Sequence, residues 1–219
     1  MTFKALDSLA EQIARHLADR IVRGEMRPGE RIQEQKVTQA LDVSRGSVRE
    51  ALLILERRHL VVISPRRGAQ VSELNAHHAR SLCTLMSELY ILLGCAVAQQ
   101  WRGEEDLGPF LTLQQRLRQS AAANDIQTFV DDSFNVMRAA YPFADNPYLS
   151  QTVENLQPAM NRNYYLALEQ RKAAMAEYLA LFDGLLSAVR DRDLNTIRAQ
   201  LKAYGELSCQ LVLAALGAR

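Results

Sequence analysis

The chain has 219 residues, 26 basic against 25 acidic side chains, and three cysteines. This length gives room for one or two domains, and the balanced charge excludes a chain that is basic throughout. The cysteines are widely spaced and form no Cys-x-x-Cys pair, so they give no zinc or redox motif of that kind. We find no signal peptide and no apolar run of about 18 residues, and we therefore expect a cytoplasmic protein with no membrane partner.

Basic side chains are slightly enriched in the N-terminal third. Residues 1–73 contain 13 Lys and Arg against 10 Asp and Glu, whereas residues 74–219 contain 13 against 15. Most of the basic residues in the first segment are arginines, which suit bidentate contacts with phosphate and guanine. The asymmetry is small, but its sign is the one expected for a DNA-binding N-terminal domain.

Two helices are predicted before residue 42. Within residues 8–24, Ile13, Leu17 and Ile21 repeat at helical spacing, and Gly24 is a typical end signal. Pro28-Gly29 predicts a turn, and residues 33–41 predict a short second helix. Two short helices joined by a few residues are typical of the first part of a helix-turn-helix.

A third helix with a basic N-terminal end is predicted over residues 43–55. Ser44 lies where an N-cap would lie, since its hydroxyl can accept a hydrogen bond from a free amide of the first turn. One apolar stripe is formed by Val48, Leu52 and Leu55. The polar residues off that stripe are Arg45, Ser47 and Arg49. The pattern suits insertion into a DNA major groove, although an ordinary amphipathic helix with a solvated basic end has the same pattern.

A β-hairpin is predicted directly after this helix. Residues 60–63 and 69–71 read as two short strands, and the turn between them contains Pro65 and Gly68. The tip also carries Arg66 and Arg67, which could reach the sugar-phosphate backbone or the minor groove. The alternative is a solvated turn with incidental charges, and the preceding helix pair favours DNA contact.

Several motifs in residues 6–73 occur in a fixed order and spacing. They are Leu9–Ile13, Ile21-x-x-Gly24, Pro28-Gly29-Glu30-Arg31-Ile32-x-Glu34, Val43-Ser44-Arg45-x-x-Val48-Arg49-Glu50-Ala51-Leu52 and Gly68-x-x-Val71. This set resembles the winged helix-turn-helix of GntR-family transcriptional regulators. The resemblance implies DNA contacts at Arg31, Arg45, Ser47, Arg49, Arg67 and Gly68. Ser44 at the helix end and Arg66 at the hairpin tip complete the predicted DNA-binding set.

The chain departs from this family at position 46, which is glycine where the family usually has threonine or proline. Gly46 offers no side chain for a contact at that point, so one base-reading interaction is expected to be absent. Glycine also weakens a helix by at most about 1 kcal/mol, and by less near a helix end.

Residues 74–219 predict helices only. The predicted segments are residues 77–100, 110–123, 126–141, 148–168, 171–190 and 193–211. In the first segment we expect an apolar face formed by Leu82, Leu85, Leu89, Leu92 and Leu93. We expect Pro109 to open the second helix and residues 142–147 to form a loop.

The expected fold of the chain is therefore mainly α. A winged helix-turn-helix with a small β-hairpin wing is expected over residues 1–73, followed by an antiparallel bundle of about six helices over residues 74–219.

The helical segment after such a head resembles the FCD domain, the effector-binding module of the FadR-like branch of the family. Family members with a metal carry an Asp-x-x-x-His motif and two further histidines. Asp131 fits the aspartate, but the histidine positions fall on Asn135, Phe182 and Tyr204, and all four histidines precede residue 79. We therefore predict that the metal site is lost and that the chain has no cofactor. A weak oxygen-only site at Asp131 and Asn135 is the alternative.

A set of polar residues remains near those positions, and we expect Asp131, Asn135 and Tyr204 to face the interior of the bundle. With two arginines close in register, the candidate effector-binding set is Asp131, Asn135, Arg138, Arg162 and Tyr204. Arg162 could pair with a carboxylate ligand. Alternatively, these residues form a buried hydrogen-bonded network with a purely structural role. Arg162 could equally be a solvated charge or lie at an interface.

The resemblance implies a sequence-specific transcriptional regulator rather than an enzyme. We expect a homodimer that reads a pseudo-palindromic double-stranded DNA operator, acts as a repressor and responds to a small carboxylate-bearing metabolite. One alternative is a regulator whose helical domain only dimerises. Another is an all-helical enzyme with a DNA-binding head, which the absence of histidine after residue 78 disfavours, because no Ser/His/Asp or Cys/His set is available there.

Overall fold

The computed structural model describes residues 8–217. The chain divides into two compact units, the first ending at Leu74 and the second beginning at Asn75. The predicted architecture of a small winged helix-turn-helix followed by an all-helical domain is confirmed. Each unit is described by itself below.

Between residues 8 and 74 the first unit contains three helices and three short strands. In chain order they are α1 (Leu9–Val22), β1 (Arg31–Ile32), α2 (Glu34–Leu41), α3 (Arg45–Arg57), β2 (Val61–Ser64) and β3 (Gly68–Val71). The three helices and the hairpin strands lie where the sequence predicts them, within one or two residues at their ends. Local signals explain this accuracy: Ser8 caps α1, and the backbone carbonyl of Thr38 accepts a hydrogen bond at the left-handed end of α2.

A single apolar core holds these elements together. The predicted stripe of α3 is buried, with Val48, Leu52 and Leu55 at most 2% exposed. It packs against the buried face of α1, and the sheet closes the core with Ile32, Val61, Ala69 and Val71. Because this stripe is buried, the polar residues of α3 are left on its outer side.

The wing is a three-stranded sheet rather than the predicted two-stranded hairpin. The strand order is β1-β3-β2, with both pairs antiparallel, and Ile32 of β1 lies opposite Ala69 of β3. The turn at Gly29, whose φ is +74°, brings the chain back to β3, where the Gly29 amide donates to the Val71 carbonyl over 2.9 Å. A two-residue strand is too short to show an alternating pattern, which is why the sequence does not reveal β1.

The second unit, over residues 75–217, consists of six helices, as predicted. They are α4 (Ala76–Gln100), α5 (Glu104–Ala123), α6 (Ile126–Ala144), α7 (Pro147–Gln170), α8 (Ala174–Arg190) and α9 (Leu194–Gly217). Several begin at capping residues: the Asp193 carboxylate accepts from the amides of Asn195 and Thr196, each over 3.1 Å. The apolar sides of the helices form a core that includes Tyr90, Phe129 and Leu168.

Two predicted helix ends were wrong because proline is tolerated inside these helices. α5 begins at Glu104 and contains Pro109, whereas we expected Pro109 to open the helix. The first turn of α5 carries three acidic residues, which interact favourably with the positive end of the helix dipole. α6 continues through Pro142 to Ala144 instead of ending at a loop, so Pro142 removes one hydrogen bond in the last turns only.

The apolar face predicted for α4 is mostly not the face that the bundle buries. Leu93 is buried, but Leu85 and Leu92 are 47% and 54% exposed, and Leu82 and Leu89 are half-buried. The core face instead includes Ala79, Cys83, Met86, Tyr90 and Val97. Because α4 is apolar on both sides, its periodicity alone does not identify the buried side. We call Leu82, Leu85, Leu89 and Leu92 the α4 leucine stripe.

α4 is also long and apolar enough, by length and composition, to cross a membrane. Half of its apolar window is buried inside the protein, however, which is typical of the central helix of a folded bundle. This helix is the single candidate of this kind among residues 8–217. The expectation that the sequence contains no apolar run long enough to cross a membrane is therefore corrected: α4 is such a run by length and composition.

Candidate nucleic-acid interface and ligand cavity

The N-terminal end of α3 is held by two serines. The Ser44 hydroxyl accepts a hydrogen bond from the Ser47 amide over 3.1 Å, and the two hydroxyl oxygens lie 2.9 Å apart. Ser44 therefore has the predicted capping role, and it and Ser47 lie at the outer end of the helix. Free backbone amides and the helix dipole at such an end favour a phosphate oxygen.

The two arginines near the N-terminal end of α3, Arg45 and Arg49, are exposed, as a DNA-reading helix requires. Arg45 is the first residue of the helix, and Arg49 follows one turn later with a side chain 67% exposed. The Arg49 Nε donates to Glu34 Oε2 over 2.9 Å, so the first residue of α2 orients the guanidinium. An exposed ion pair of this kind contributes about 1 kcal/mol or less to stability. Glu34 was not among the predicted site residues. Its position as the acidic residue in the first turn of α2 is the sequence signal that could have suggested a pairing with a nearby arginine.

The wing tip presents a second basic group. Arg66 and Arg67 are exposed, and the Arg67 amide donates to the Ser64 carbonyl over 3.1 Å to close the turn. Gly68 follows with φ of +77°, in the left-handed region that favours glycine. A Cβ built on Gly68 would lie 3.8 Å from Nη2 of Arg31. The structure therefore brings Arg31 of β1 to the base of the wing tip, which the sequence alone does not reveal.

Position 46 has room for a side chain. A Cβ on Gly46 would meet only the Ser44 Oγ, at an ordinary contact distance of 3.7 Å. Glycine is therefore not required here by crowding. The exposed surface beside Arg45 simply lacks the side chain that the family usually places there.

The five predicted effector residues are not brought together in one pocket. Asp131 is exposed and accepts from Gln127 Nε2 over 3.0 Å, so the expectation that it faces inward was wrong. Arg138 is also exposed, and its Nε donates to Glu154 Oε1 over 2.7 Å, an ion pair that raises the pKa of Arg138. Asn135 is half-buried and donates from Nδ2 to the neighbouring carboxylate of Asp132.

The buried carboxylate of α6 is Asp132, one residue after the predicted one. Its side chain is 1% exposed and accepts a hydrogen bond from Arg116 of α5, with Nη2 and Oδ1 2.9 Å apart. The sequence contains two adjacent aspartates, and the phase set by Phe129 and Val136 turns the second one inward. Arg116 and Asn135 both donate hydrogen bonds to the Asp132 carboxylate. Asp132 therefore has a structural role, linking α5 to α6, rather than a ligand-binding one.

Arg162 and Tyr204 are buried, and Tyr204 belongs to an aromatic cluster. Its ring centroid lies 5.4 Å from that of Tyr178, 6.4 Å from Tyr90 and 6.5 Å from Tyr164. Burial raises the pKa of Tyr204 to about 12 and raises the pKa of the other three tyrosines as well. These hydroxyls are therefore neutral at physiological pH and act as hydrogen-bonding groups, not as charges.

A cavity lies beside this cluster, between α4, α5, α6, α8 and α9. Its larger lobe has a volume of about 30 Å³ and an adjoining smaller lobe about 20 Å³, each with room for one or two water molecules. Its larger lobe is lined by Tyr90, Leu93, Gly94, Val97, Leu107, Phe110, Val136, Met137, Ala140, Phe182, Leu185, Leu186, Val189 and Leu201. The smaller lobe shares Met137, Phe182, Leu185 and Leu201 and adds Tyr178, Leu181, Gln200 and Tyr204. We call the two lobes together the bundle cavity.

The lining of the bundle cavity is apolar and uncharged. Four of its residues carry a hydroxyl or amide, namely Tyr90, Tyr178, Gln200 and Tyr204. The Tyr90 side chain is 2% exposed, and its hydroxyl has no hydrogen-bond partner among the described residues. Of the predicted effector set, Tyr204 alone lines the cavity.

The residues at the histidine positions do not fit a divalent metal. Phe182 has no donor atom, Tyr204 keeps its proton at neutral pH, and Asn135 is engaged with Asp132. Within residues 8–217, no group of three or more His, Cys, Asp or Glu side chains could hold a metal ion. The donor chemistry of this region therefore supports hydrogen bonding and apolar contact.

Two family models match the chain. The model of bacterial regulatory proteins of the gntR family matches residues 9–71, and the FCD domain model matches residues 86–206. The HTH-type transcriptional regulator McbR of Escherichia coli K12 is 25% identical over 187 residues, which cover 85% of this chain and 84% of that protein. The HTH-type transcriptional repressor RspR of the same strain is 27% identical over 205 residues, covering 90% and 86%.

Solved structures show the same fold. The structure of E. coli McbR/YncC superposes with a TM-score of 0.81 at 21% identity and covers 94% of this chain and 98% of that one. A GntR transcriptional regulator from Rhodococcus sp. RHA1 gives a TM-score of 0.76 at 22% identity with the same coverage. At these identities the likeness concerns the fold alone.

Proposed function

Because the chain belongs to the GntR family of transcriptional regulators and carries an FCD domain, we propose that it is a cytoplasmic, dimeric repressor whose operator binding is controlled by a small molecule. Its curated relatives are transcriptional regulators, not enzymes, and one of them is named a repressor. The observation that carries the proposal is the capped end of α3, with Arg45 and Arg49 exposed beside its buried stripe.

The first unit supports DNA binding through two basic groups. The α3 group reads base edges in the major groove, where arginine pairs with guanine O6 and N7. The wing group, with Arg31, Arg66, Arg67 and Gly68, contacts phosphate and positions the head on the duplex. The Ser44 hydroxyl caps the Ser47 amide, and the helix dipole at this end of α3 would favour a phosphate of the DNA backbone.

A second copy of the chain completes the operator-binding form. One α3 covers one half-site, so a two-fold dimer reads a pseudo-palindrome. The α4 leucine stripe supports this dimer, because its members are spaced three, four and three residues apart, as in the seam between two packed helices. Its exposed leucines would be covered by the same stripe of the partner.

The effector acts through the second unit. The second unit carries the FCD domain, and the bundle cavity is an apolar gap in its otherwise packed core. A ligand that binds this cavity more tightly in one arrangement of the dimer than in another shifts the protein toward or away from the operator-bound form. The match of residues 86–206 to the FCD domain model is the observation that favours this function over a helical domain that only dimerises.

We expect the purified, untagged protein to retain no stoichiometric zinc, nickel or manganese after incubation with an excess of each metal and desalting. The reason is that Phe182, Tyr204 and Asn135 do not supply the imidazole or thiolate donors that such an ion needs. Elemental analysis measures the metal content. One equivalent per chain would contradict the proposed loss of the metal site and would direct attention to Asp131 and Asn135.

Selection of operator sequences tests the proposed function. The full chain is mixed with a library of random double-stranded DNA, and bound sequences are recovered and read over successive rounds. We expect enrichment of a pseudo-palindrome whose half-sites lie about one helical turn apart. The Arg45→Ala variant serves as the control and should give weaker enrichment. Failure of the native protein to enrich any sequence would reject the proposal.

A further inference from the structure

We propose that Glu34 is a positioning residue for base recognition, which holds Arg49 so that the end of its guanidinium contacts one guanine in each half-site. This inference rests on the proposed function and deepens it, because it assigns a role in the choice of base to a residue outside the predicted DNA contacts. Glu34 belongs to α2, whereas Arg49 belongs to α3.

The contact that carries the inference joins these two helices. Glu34 is the first residue of α2, and its Oε2 accepts a hydrogen bond from Arg49 Nε over 2.9 Å. Glu34 is the more enclosed partner, with a side chain 37% exposed against 67% for Arg49. Its backbone carbonyl accepts from Thr38 Oγ1 over 2.8 Å within α2. The carboxylate therefore restricts the longer and more exposed arginine side chain.

The hydrogen bond from Nε decides which edge of the guanidinium remains for DNA. Arginine presents five N–H donors in a planar fork, one on Nε and four on the two terminal nitrogens. Since Arg49 Nε donates to Glu34, the edge formed by Nη1 and Nη2 is the one directed to a base. Two parallel hydrogen bonds from this edge match O6 and N7 of guanine in the major groove.

The negative charge of Glu34 acts in the same direction. A carboxylate beside Arg49 repels a phosphate group, whereas the acceptors of guanine carry only partial charges. Glu34 therefore makes the DNA backbone a poorer partner for Arg49 than a base edge is. Contacts with phosphate carry no direct sequence information. The ion pair thus lowers the affinity for DNA in general and increases the discrimination between bases.

Binding to DNA strengthens this arrangement. The duplex excludes water from the pair, and an ion pair is stronger when it is less solvated. An arginine that is already held in one geometry also loses less conformational freedom when it binds. Glu34 is thus expected to matter more for the bound form than for the stability of the free protein.

Replacement of single guanines by 7-deazaguanine tests the proposal. This base lacks the N7 acceptor but keeps the Watson–Crick edge of guanine, and binding of the selected operator to the full chain is measured by fluorescence anisotropy. For the native protein we expect about five- to tenfold weaker binding when a guanine contacted by an arginine is replaced. The guanine contacted by Arg49 is the one at which the Arg49→Ala variant no longer responds to the replacement.

The Glu34→Ala variant should reduce the response at this guanine to about twofold or less. Its affinity for random-sequence DNA should equal or exceed that of the native protein, because a negative charge beside Arg49 is removed. The guanine contacted by Arg45 should respond as before. In the Arg49→Ala background, Glu34→Ala should leave base preference unchanged. Glu34→Gln keeps an oxygen that can accept from Arg49 Nε and should retain part of the discrimination.

Glu25→Ala is the matched control. Glu25 lies in the same unit outside α2 and α3, is exposed, and accepts from Arg20 Nε over 3.2 Å. Its removal deletes the same charge and the same kind of ion pair at another place. This variant should respond to 7-deazaguanine like the native protein.

The outcomes separate this inference from the proposed function. A native-like response of Glu34→Ala at the Arg49 guanine would overturn the inference while operator binding persists. The inference also fails if Arg49→Ala still responds at every guanine, or if Glu34→Ala weakens binding to all DNA equally, as a loss of stability in α2 would; thermal unfolding followed by circular dichroism measures that stability. If the native protein selects no operator, the proposed function fails, and the role of Glu34 with it.

Discussion

Arg45→Ala and Arg49→Ala are each expected to weaken binding of the selected operator by about 1–3 kcal/mol, or roughly 5- to 150-fold, and to broaden base preference in each half-site. Both side chains are exposed near the N-terminal end of α3. A bidentate arginine–guanine pair discriminates against other bases, and its loss removes affinity and selectivity together. Fluorescence anisotropy with native and single-base-changed operators measures both effects.

Arg57→Ala is the matched control for these variants. Arg57 is an exposed arginine at the opposite end of the same helix, so it carries the same charge without the N-terminal position. Its removal should lower the affinity for all DNA sequences slightly and leave the base preference unchanged. If Arg45→Ala and Arg57→Ala have the same effect, α3 does not read bases as assigned here.

The double variant Leu85→Glu and Leu92→Glu is expected to convert the proposed dimer to monomers and to lower operator affinity by at least about a hundredfold. Both leucines lie on the α4 leucine stripe, and a two-fold pairing would bring the new carboxylates of both copies into one apolar interface. Coupling of two half-sites through a dimer raises affinity by about 10²- to 10⁴-fold, and that gain is lost in the monomer. Sedimentation equilibrium gives the oligomeric state.

Tyr148→Glu provides the comparison for the dimer. Tyr148 is a large exposed residue on α7, 80% exposed, and it lies outside the α4 leucine stripe. This variant should stay dimeric and bind the operator normally. A double α4 variant that remains dimeric would show that the two copies meet through a different face.

The α3 region could be predicted from the sequence almost residue by residue. Its cap at Ser44, its buried stripe and its exposed arginines depend on interactions within three or four residues, and these leave a pattern in the chain. The pairing of Arg49 with Glu34 could not be predicted in this way, since it joins residues fifteen positions apart and depends on how α2 packs beside α3.

The second unit shows where sequence patterns stop being informative. Periodicity predicts that α4 and α6 are helices, but α4 is apolar on two sides, and α6 carries two adjacent aspartates. In both helices the buried side depends on the packing of the neighbouring helices rather than on local sequence. The bundle cavity is a property of five packed helices, so no single segment encodes it.

The two-residue strand β1 has a consequence for how the head meets its operator. It attaches the segment before α2 to the middle of the wing sheet, so Arg31 and the wing tip move together with the helical part of the unit. A recognition surface with so little internal freedom requires the duplex to adjust its own curvature and groove width. Base pairs that the protein never touches should therefore influence affinity through the stiffness of the DNA beneath the wing.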